Sequence, residues 1–201
     1  VSPPSALIRT LYDPVGWADP EWFAHFGVDG RWPRRFANRV MLRRAQLSNV
    51  RREDCDSALA RWLVLHWADL PAVAYLAGAR LARGRLAGGN ALTKLRFNAL
   101  GFLALPIPIL DRRPFIDSAF ASPVGADVDA DRLALASGVS CVKVATRALA
   151  FGWQQRIRLK FPYSCDWRDA TCAEPPGVAL GPRVALRLLQ SAAYFYHAEN
   201  H

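Results

Sequence analysis

Apolar positions recur along most of this chain with the three-to-four-residue spacing of amphipathic helices. Pro3 to Gly16 shows no period, and residues 1–18 read as an extended N-terminal arm. Asp19-Pro20-Glu21 is a helix start, with an Asp cap, Pro at the first helical position and an acid in the first turn. The short helix it opens carries Trp22, Phe23 and Phe26 and stops at Gly27. Pro33 begins a second helix to about Leu47, with Phe36, Val40 and Leu47 on one face and Ala37 and Met41 beside it. A third spans about Glu53 to Trp67, apolar at Leu59, Trp62, Leu63 and His66. Asp69 caps a fourth, with Pro71 in its first turn and the glycines from Gly84 to Gly89 at its end. Asn90 caps a fifth, to about Leu105.

Pro106 to Asp127 holds four prolines and no period, which leaves room for one short helix near Phe115 to Phe120. Asp129 or Asp131 opens a sixth helix to near Gly152. The period then changes, because Ile157, Leu159 and Phe161 alternate with Arg156, Arg158 and Lys160 as in a half-exposed strand. After a loop with Pro162, Pro175, Pro176 and Gly177, Pro182 starts a last helix through Leu186, Leu189, Ala193 and Tyr196. The pattern predicts a mainly α fold: a compact, helix-rich single domain over 1–201 with at most a small β element.

Composition agrees with a packed core. Hydrophobic residues make up 52% of 201 and charged ones 21%, far from disordered compositions. The apolar run Ala99 to Leu110 is 12 residues long and broken by Pro106 and Pro108, short of the roughly 20 that span a bilayer. Val1 to Leu11 lacks the apolar stretch of a secretory leader, so none is expected there. Four cysteines are too few for a disulfide framework at this length. Cys55 and Cys141 fall in helical patterns as small buried hydrophobes, and a reducing cytoplasm is the expected setting.

The net charge of +9 changes the picture more, since it suits nucleic acid, anionic lipid or an acidic protein. The bases are 23 Arg against Lys94, Lys143 and Lys160, in an Ala-, Gly- and Pro-rich chain. That bias matches GC-rich coding and is no sign of phosphate recognition by itself. The distinctive feature is local. From Arg31 to Arg52 there are eight Arg and no acid, with Arg35, Arg39 and Arg43 repeating every fourth residue between Arg34 and Arg44. These five are the candidate partner-binding residues. The stripe reads as a solvated face, as a seat for an acidic protein, or as a phosphate-tracking helix. No helix-turn-helix, zinc-finger or RNA-binding signature accompanies the last option, which keeps nucleic acid an unlikely partner.

Catalytic and metal signatures are missing. His197 and His201 are four apart, but Ala198 stands where a zinc helix needs Glu. His66 and His25 lie among apolar neighbours and read as core histidines. There is no Gly-x-Ser-x-Gly elbow and no phosphate loop, and the glycines Gly84, Gly88 and Gly89 follow a helix rather than a strand. Asp127, Asp129 and Asp131 lack the Gly and terminal Glu of a calcium loop and are better explained as helix caps. No enzyme activity, metal or cofactor is expected.

Read in order, several segments resemble the SctK/YscK-like accessory proteins of bacterial type III secretion systems. Tyr12-Asp13-Pro14 through Trp17-Ala18-Asp19-Pro20-Glu21-Trp22-Phe23 is similar to an N-terminal Pro and aromatic motif of that family. Leu63-Val64-Leu65-His66 and Leu76 to Leu86 look like its Leu-rich helix pair. Ser137-Gly138 and Arg156-Ile157-Arg158-Leu159-Lys160-Phe161-Pro162 resemble its C-terminal region. The basic helix Arg34 to Arg44 has no counterpart in that pattern. The resemblance implies a helix-rich, non-enzymatic cytoplasmic adaptor at the inner membrane. It would link the SctQ-like pod protein of the sorting platform to the cytoplasmic domain of the SctD-like inner-membrane ring protein. A basic nucleic-acid-binding protein is the alternative.

Overall fold

The computed structural model describes residues 3–87, 90–107, 129–165 and 180–200. Among them are eleven α-helices and no strand, so the helix-rich fold read from the sequence is the one adopted. The chain divides into two compact units, Val1–Leu70 with Thr146–Asp166, and Pro71–Ala145 with Trp167–His201.

The first unit contains α1 (Pro3–Tyr12), α2 (Pro20–Phe26), α3 (Arg34–Arg44), α4 (Arg52–Cys55), α5 (Ala58–Leu65) and, returning from far along the chain, α10 (Phe151–Leu159). Asp19 caps α2 by accepting from the Glu21 N–H at 3.0 Å, and Gly27 ends it at φ +59°, a left-handed stop that a Cβ disfavours. Trp22, Ala18, Met41 and Leu159 form one buried cluster, ringed by Val15, Trp17, Phe26 and Leu47 among others. The Trp22 indole N–H donates to the Phe161 carbonyl at 2.8 Å, so the largest apolar side chain of α2 leaves no buried donor unmet.

The second unit contains α6 (Leu70–Leu81), α7 (Arg83–Leu86), α8 (Phe97–Ala104), α9 (Ala130–Thr146) and α11 (Pro182–Asn200). Val73, Ala74, Leu76, Ala77 and Ala79 are fully buried, so α6 is enclosed on every side, as its lack of a polar face implies. It crosses α9 at Gly78 and Gly138. A Cβ on Gly78 would run into the Ala134 carbonyl and the Gly138 backbone, and one on Gly138 into the Ala74 carbonyl. Asp129 accepts from the N–H groups of Asp131 at 3.1 Å and Arg132 at 3.3 Å, the capping role expected of it.

Five expectations are corrected. The N-terminal arm is not extended: α1 occupies Pro3–Tyr12, opened by prolines where first-turn N–H groups lack partners, with Thr10 and Leu11 buried. The strand expected at Ile157 to Phe161 is the end of helix α10 and the turn that follows it. The alternation misleads there because Arg156 and Lys160 are themselves inside. Trp153, Arg156, Ile157 and Lys160, spaced as one helix face, are all buried. The expected third helix is split into α4 and α5, with Ser57 accepting from the Ala60 N–H at 3.1 Å to start the second piece. The expected sixth helix likewise stops at Thr146, and α10 begins afresh at Phe151. Asn90 to Leu105 forms a 3-10 turn (Leu92–Lys94) followed by α8 rather than one helix. The short helix expected at Phe115 to Phe120 lies outside the described residues.

Candidate functional site

The basic segment folds as the helix its pattern predicts, but with a different inner face. Ala37 and Met41, one turn apart, are buried at 3% and 0% exposure, while Phe36 is 51% exposed against Trp32, and Val40 is half-buried. Small and flexible side chains let α3 approach the core closely, which a Phe on that face would not allow.

Both ends of α3 are fixed. At its start, Arg34 grips the Asp13 carboxylate with two N–H groups, one at 2.9 Å. Asn38 donates to the same carboxylate at 2.7 Å and accepts from the Val15 N–H at 2.9 Å. The Arg34 guanidinium, aided by Asn38, holds the Asp13 carboxyl below its ordinary range against the opposing effect of burial. At the other end, Arg44 donates to the Phe26 carbonyl. Gln46, at φ +49°, takes a left-handed conformation uncommon outside glycine. Its carbonyl accepts from the Gln155 amide at 2.9 Å, whose oxygen accepts from the Ser48 N–H at 2.8 Å.

The five candidate residues therefore separate by role. Arg34 and Arg44 are engaged in holding α3 in place. Arg35, Arg39 and Arg43 are exposed and make no hydrogen bond or ion pair among the described residues. Of the remaining arginines between Arg31 and Arg52, Arg31 pairs with Asp29 at 2.7 Å and Arg51 with Glu53 at 3.3 Å, both exposed pairs of small energetic weight.

Beside the three free arginines runs an open groove of about 450 Å³, lined by Tyr12, Arg35, Asn38, Arg39, Leu42 and Arg43. No acid lines it. Sequence reasoning missed Tyr12, Asn38 and Leu42. Asn38 and Leu42 carry a readable signal, standing three residues after Arg35 and Arg39 on the same helical stripe. Tyr12 carries none, since it comes from another helix.

The remaining candidates do not gather into a site. His25, expected in the core, is exposed and stacks on Tyr163 with ring centroids 3.9 Å apart, because α2 buries Trp22 instead. His66, also expected in the core, is half-buried at the end of α5 against Trp62. His197 lies on α11, while His201 and Asp127 fall outside the described residues. Cys55 and Cys141 are buried free thiols, and burial pushes the Cys141 thiol up to about 12. Among the described residues no three His, Cys, Asp or Glu side chains converge as metal ligands. None of the described helices is long and apolar enough to cross a membrane.

No curated protein and no solved structure gives a significant match to the chain. One family does, described as bacterial type III secretion apparatus protein (OrgA_MxiK), and it covers residues 7–196, from within α1 almost to the end of α11. Over that span the helix-rich fold and the family agree with the resemblance read from the sequence: the chain belongs to the OrgA_MxiK family of type III secretion apparatus proteins.

Proposed function

We propose that this chain is a non-enzymatic adaptor of the type III secretion apparatus, working at the cytoplasmic face of the inner membrane. In this reading it links the SctQ-like pod protein of the sorting platform to the cytoplasmic domain of the SctD-like ring protein. It meets one of them through the basic face of α3. The observation that carries the reading is the family match over residues 7–196. The division within α3 supports the binding mode: Arg34 and Arg44 hold the helix, while Arg35, Arg39 and Arg43 are exposed with no partner among the described residues. Exposed surface cations of this kind remain available to steer an acidic partner.

The test is capture of purified pod protein and purified ring cytoplasmic domain by the full chain at low and moderate salt. Both are expected to bind, one of them with an association rate that falls as salt rises. Capture of neither at low salt overturns the reading. Tight, steeply salt-dependent binding of random duplex DNA in its place would support the nucleic-acid alternative.

A further inference from the structure

The groove beside α3 has the layout of a helix seat. Arg35, Asn38, Arg39, Leu42 and Arg43 line it at positions i, i+3, i+4, i+7 and i+8. That is the spacing of one continuous stripe on a helix, the surface against which a second helix packs its own ridge. Tyr12, 50% exposed at the end of α1, forms the opposite wall. We propose that this groove receives an amphipathic acidic helix of a partner protein. Its carboxylates, one turn apart, would meet Arg35, Arg39 and Arg43, and an apolar side chain between them would rest on Leu42 and Tyr12. This deepens the adaptor reading and rests on it for the partner being a component of the same apparatus.

Three observations single out this occupant. Side chains four apart on a helix are separated by about 6 Å along the axis, so a Glu at every fourth position of a partner matches the arginine repeat without distortion. The seat is built beforehand. Asn38 is held by Asp13 and the Val15 N–H, and both ends of α3 are anchored, so little ordering is required on binding. The floor of the groove includes an apolar element, with Leu42 half-buried among the guanidinium groups. A phosphate backbone offers nothing for that element to cover. A lipid surface would call for a broad apolar face, whereas this groove offers Leu42 and Tyr12 beside three arginines.

The probe is a fluorescein-labelled synthetic helical peptide with Glu at every fourth position over three successive turns and Leu one residue before the second and third Glu. A scrambled peptide of the same composition, a short random DNA duplex and phosphatidylserine-containing vesicles serve as comparisons. Anisotropy titrations of the full chain at low salt are expected to show saturable binding of the striped peptide, at least about tenfold tighter than the scrambled one. Replacing Arg35, Arg39 and Arg43 together with Glu is expected to weaken the striped peptide at least about tenfold and to remove its salt dependence. Leu42→Ala and, separately, Tyr12→Ala are expected to weaken it about three- to tenfold with the salt dependence retained. Tyr12 stands at the surface, so its variant remains informative if Leu42→Ala perturbs folding.

Absence of binding to the striped peptide, equal binding of the scrambled one, or unchanged affinity in the Tyr12 variant overturns the proposal. So does preference for duplex or vesicles over the peptide. Undiminished capture of pod and ring proteins by the Leu42 and Tyr12 variants would overturn the helix seat and leave the adaptor reading standing. Binding of the peptide by a chain that captures neither protein would do the reverse.

Discussion

Arg156 Nε donates to the carbonyl of Leu11 at 3.1 Å across 145 positions of sequence, joining the end of α1 to α10. One further nitrogen of the same guanidinium, Nη1, donates to the Ser48 and Gly152 carbonyls at 2.8 Å each. The side chain is 2% exposed and has no acidic partner among the described residues. Burial pulls its pKa below the ordinary value, yet a guanidinium stays charged, so carbonyl dipoles alone compensate this cation. Leu11 precedes Tyr12, and Ser48 ends the turn after α3. One side chain thus ties the segment before Tyr12 to the segment that follows α3.

Replacing Arg156 with Met is therefore expected to destabilise the protein by about 2–4 kcal/mol, because two carbonyls outside α10 lose their donor. Arg156→Lys should recover little of this, since one ammonium cannot reproduce the planar fork that reaches two separated carbonyls. Urea denaturation of the three proteins checks it. A Lys variant as stable as the parent would show that charge, and not the fork, is what the site requires.

Lys160 makes the pH dependence of stability unusual. It is 7% exposed, packs on the Trp67 ring at 5.9 Å, and burial pulls its pKa from 10.5 to about 8, against the attraction of Asp69 and Asp19. Above about pH 8 the folded chain has released this proton while the unfolded chain holds it up to about 10.5, so stability rises with pH across that window. Below pH 8 the buried ammonium costs about 3–4 kcal/mol, from 1.36 kcal/mol per pKa unit. Lys160→Met is expected to raise stability at pH 7 and to flatten the rise between pH 8 and pH 10.5. Urea midpoints at closely spaced pH values measure both. A variant that keeps the parent's slope would assign the slope to other groups.

The elements with explicit punctuation were legible in the sequence. Asp19 and Asp129 cap where expected, Gly27 stops α2, Pro182 opens α11, and α3 lies within the predicted Pro33 to Leu47. Two of the failures share one cause: periodicity cannot say which of two neighbouring stripes faces inward. On α3 the size of Phe36 suggested the wrong one, and on α10 the charges of Arg156 and Lys160 disguised a buried face as a strand's outer edge. A buried charge needs compensating partners, and the carbonyls that serve here, those of Leu11, Ser48 and Ala68, come from other segments. The candidate site was legible as a basic stripe but not as a groove. Its second wall, Tyr12, belongs to a segment that the pattern left without a helix.

In the second unit, Gly78→Ala is expected to lower stability by about 1–3 kcal/mol or more, because the added methyl meets backbone and not a flexible side chain. Gly138→Ala should behave alike. The two together should cost less than the sum of the singles, since α6 and α9 need to move apart only once. Denaturation midpoints of the two single variants and the double check this. Full additivity would mean that each methyl is accommodated by its own local shift.

The sharpest prediction concerns the two kinds of arginine on α3. Changing Arg35, Arg39 and Arg43 together to Glu should leave the fold and its melting temperature nearly unchanged, since exposed substitutions shift stability by about 0.5 kcal/mol or less each. Changing Arg34 to Ala should do the opposite. It removes the bidentate partner of Asp13, lets that carboxyl return toward its ordinary pKa and loosens the start of α3. The melting temperature should fall measurably at pH 7. The difference between parent and variant should shrink as acid protonates Asp13 in both, because an ion pair that depresses a carboxyl's pKa stabilises only above that range. Partner association should respond in the reverse order: slowed and stripped of its salt dependence in the triple variant, and changed only through stability in Arg34→Ala. Melting curves and association rates on the same preparations decide the matter. If the triple variant associates with pod and ring proteins at the parent's rate in low salt, the stripe is a solvated face with no part in recognition.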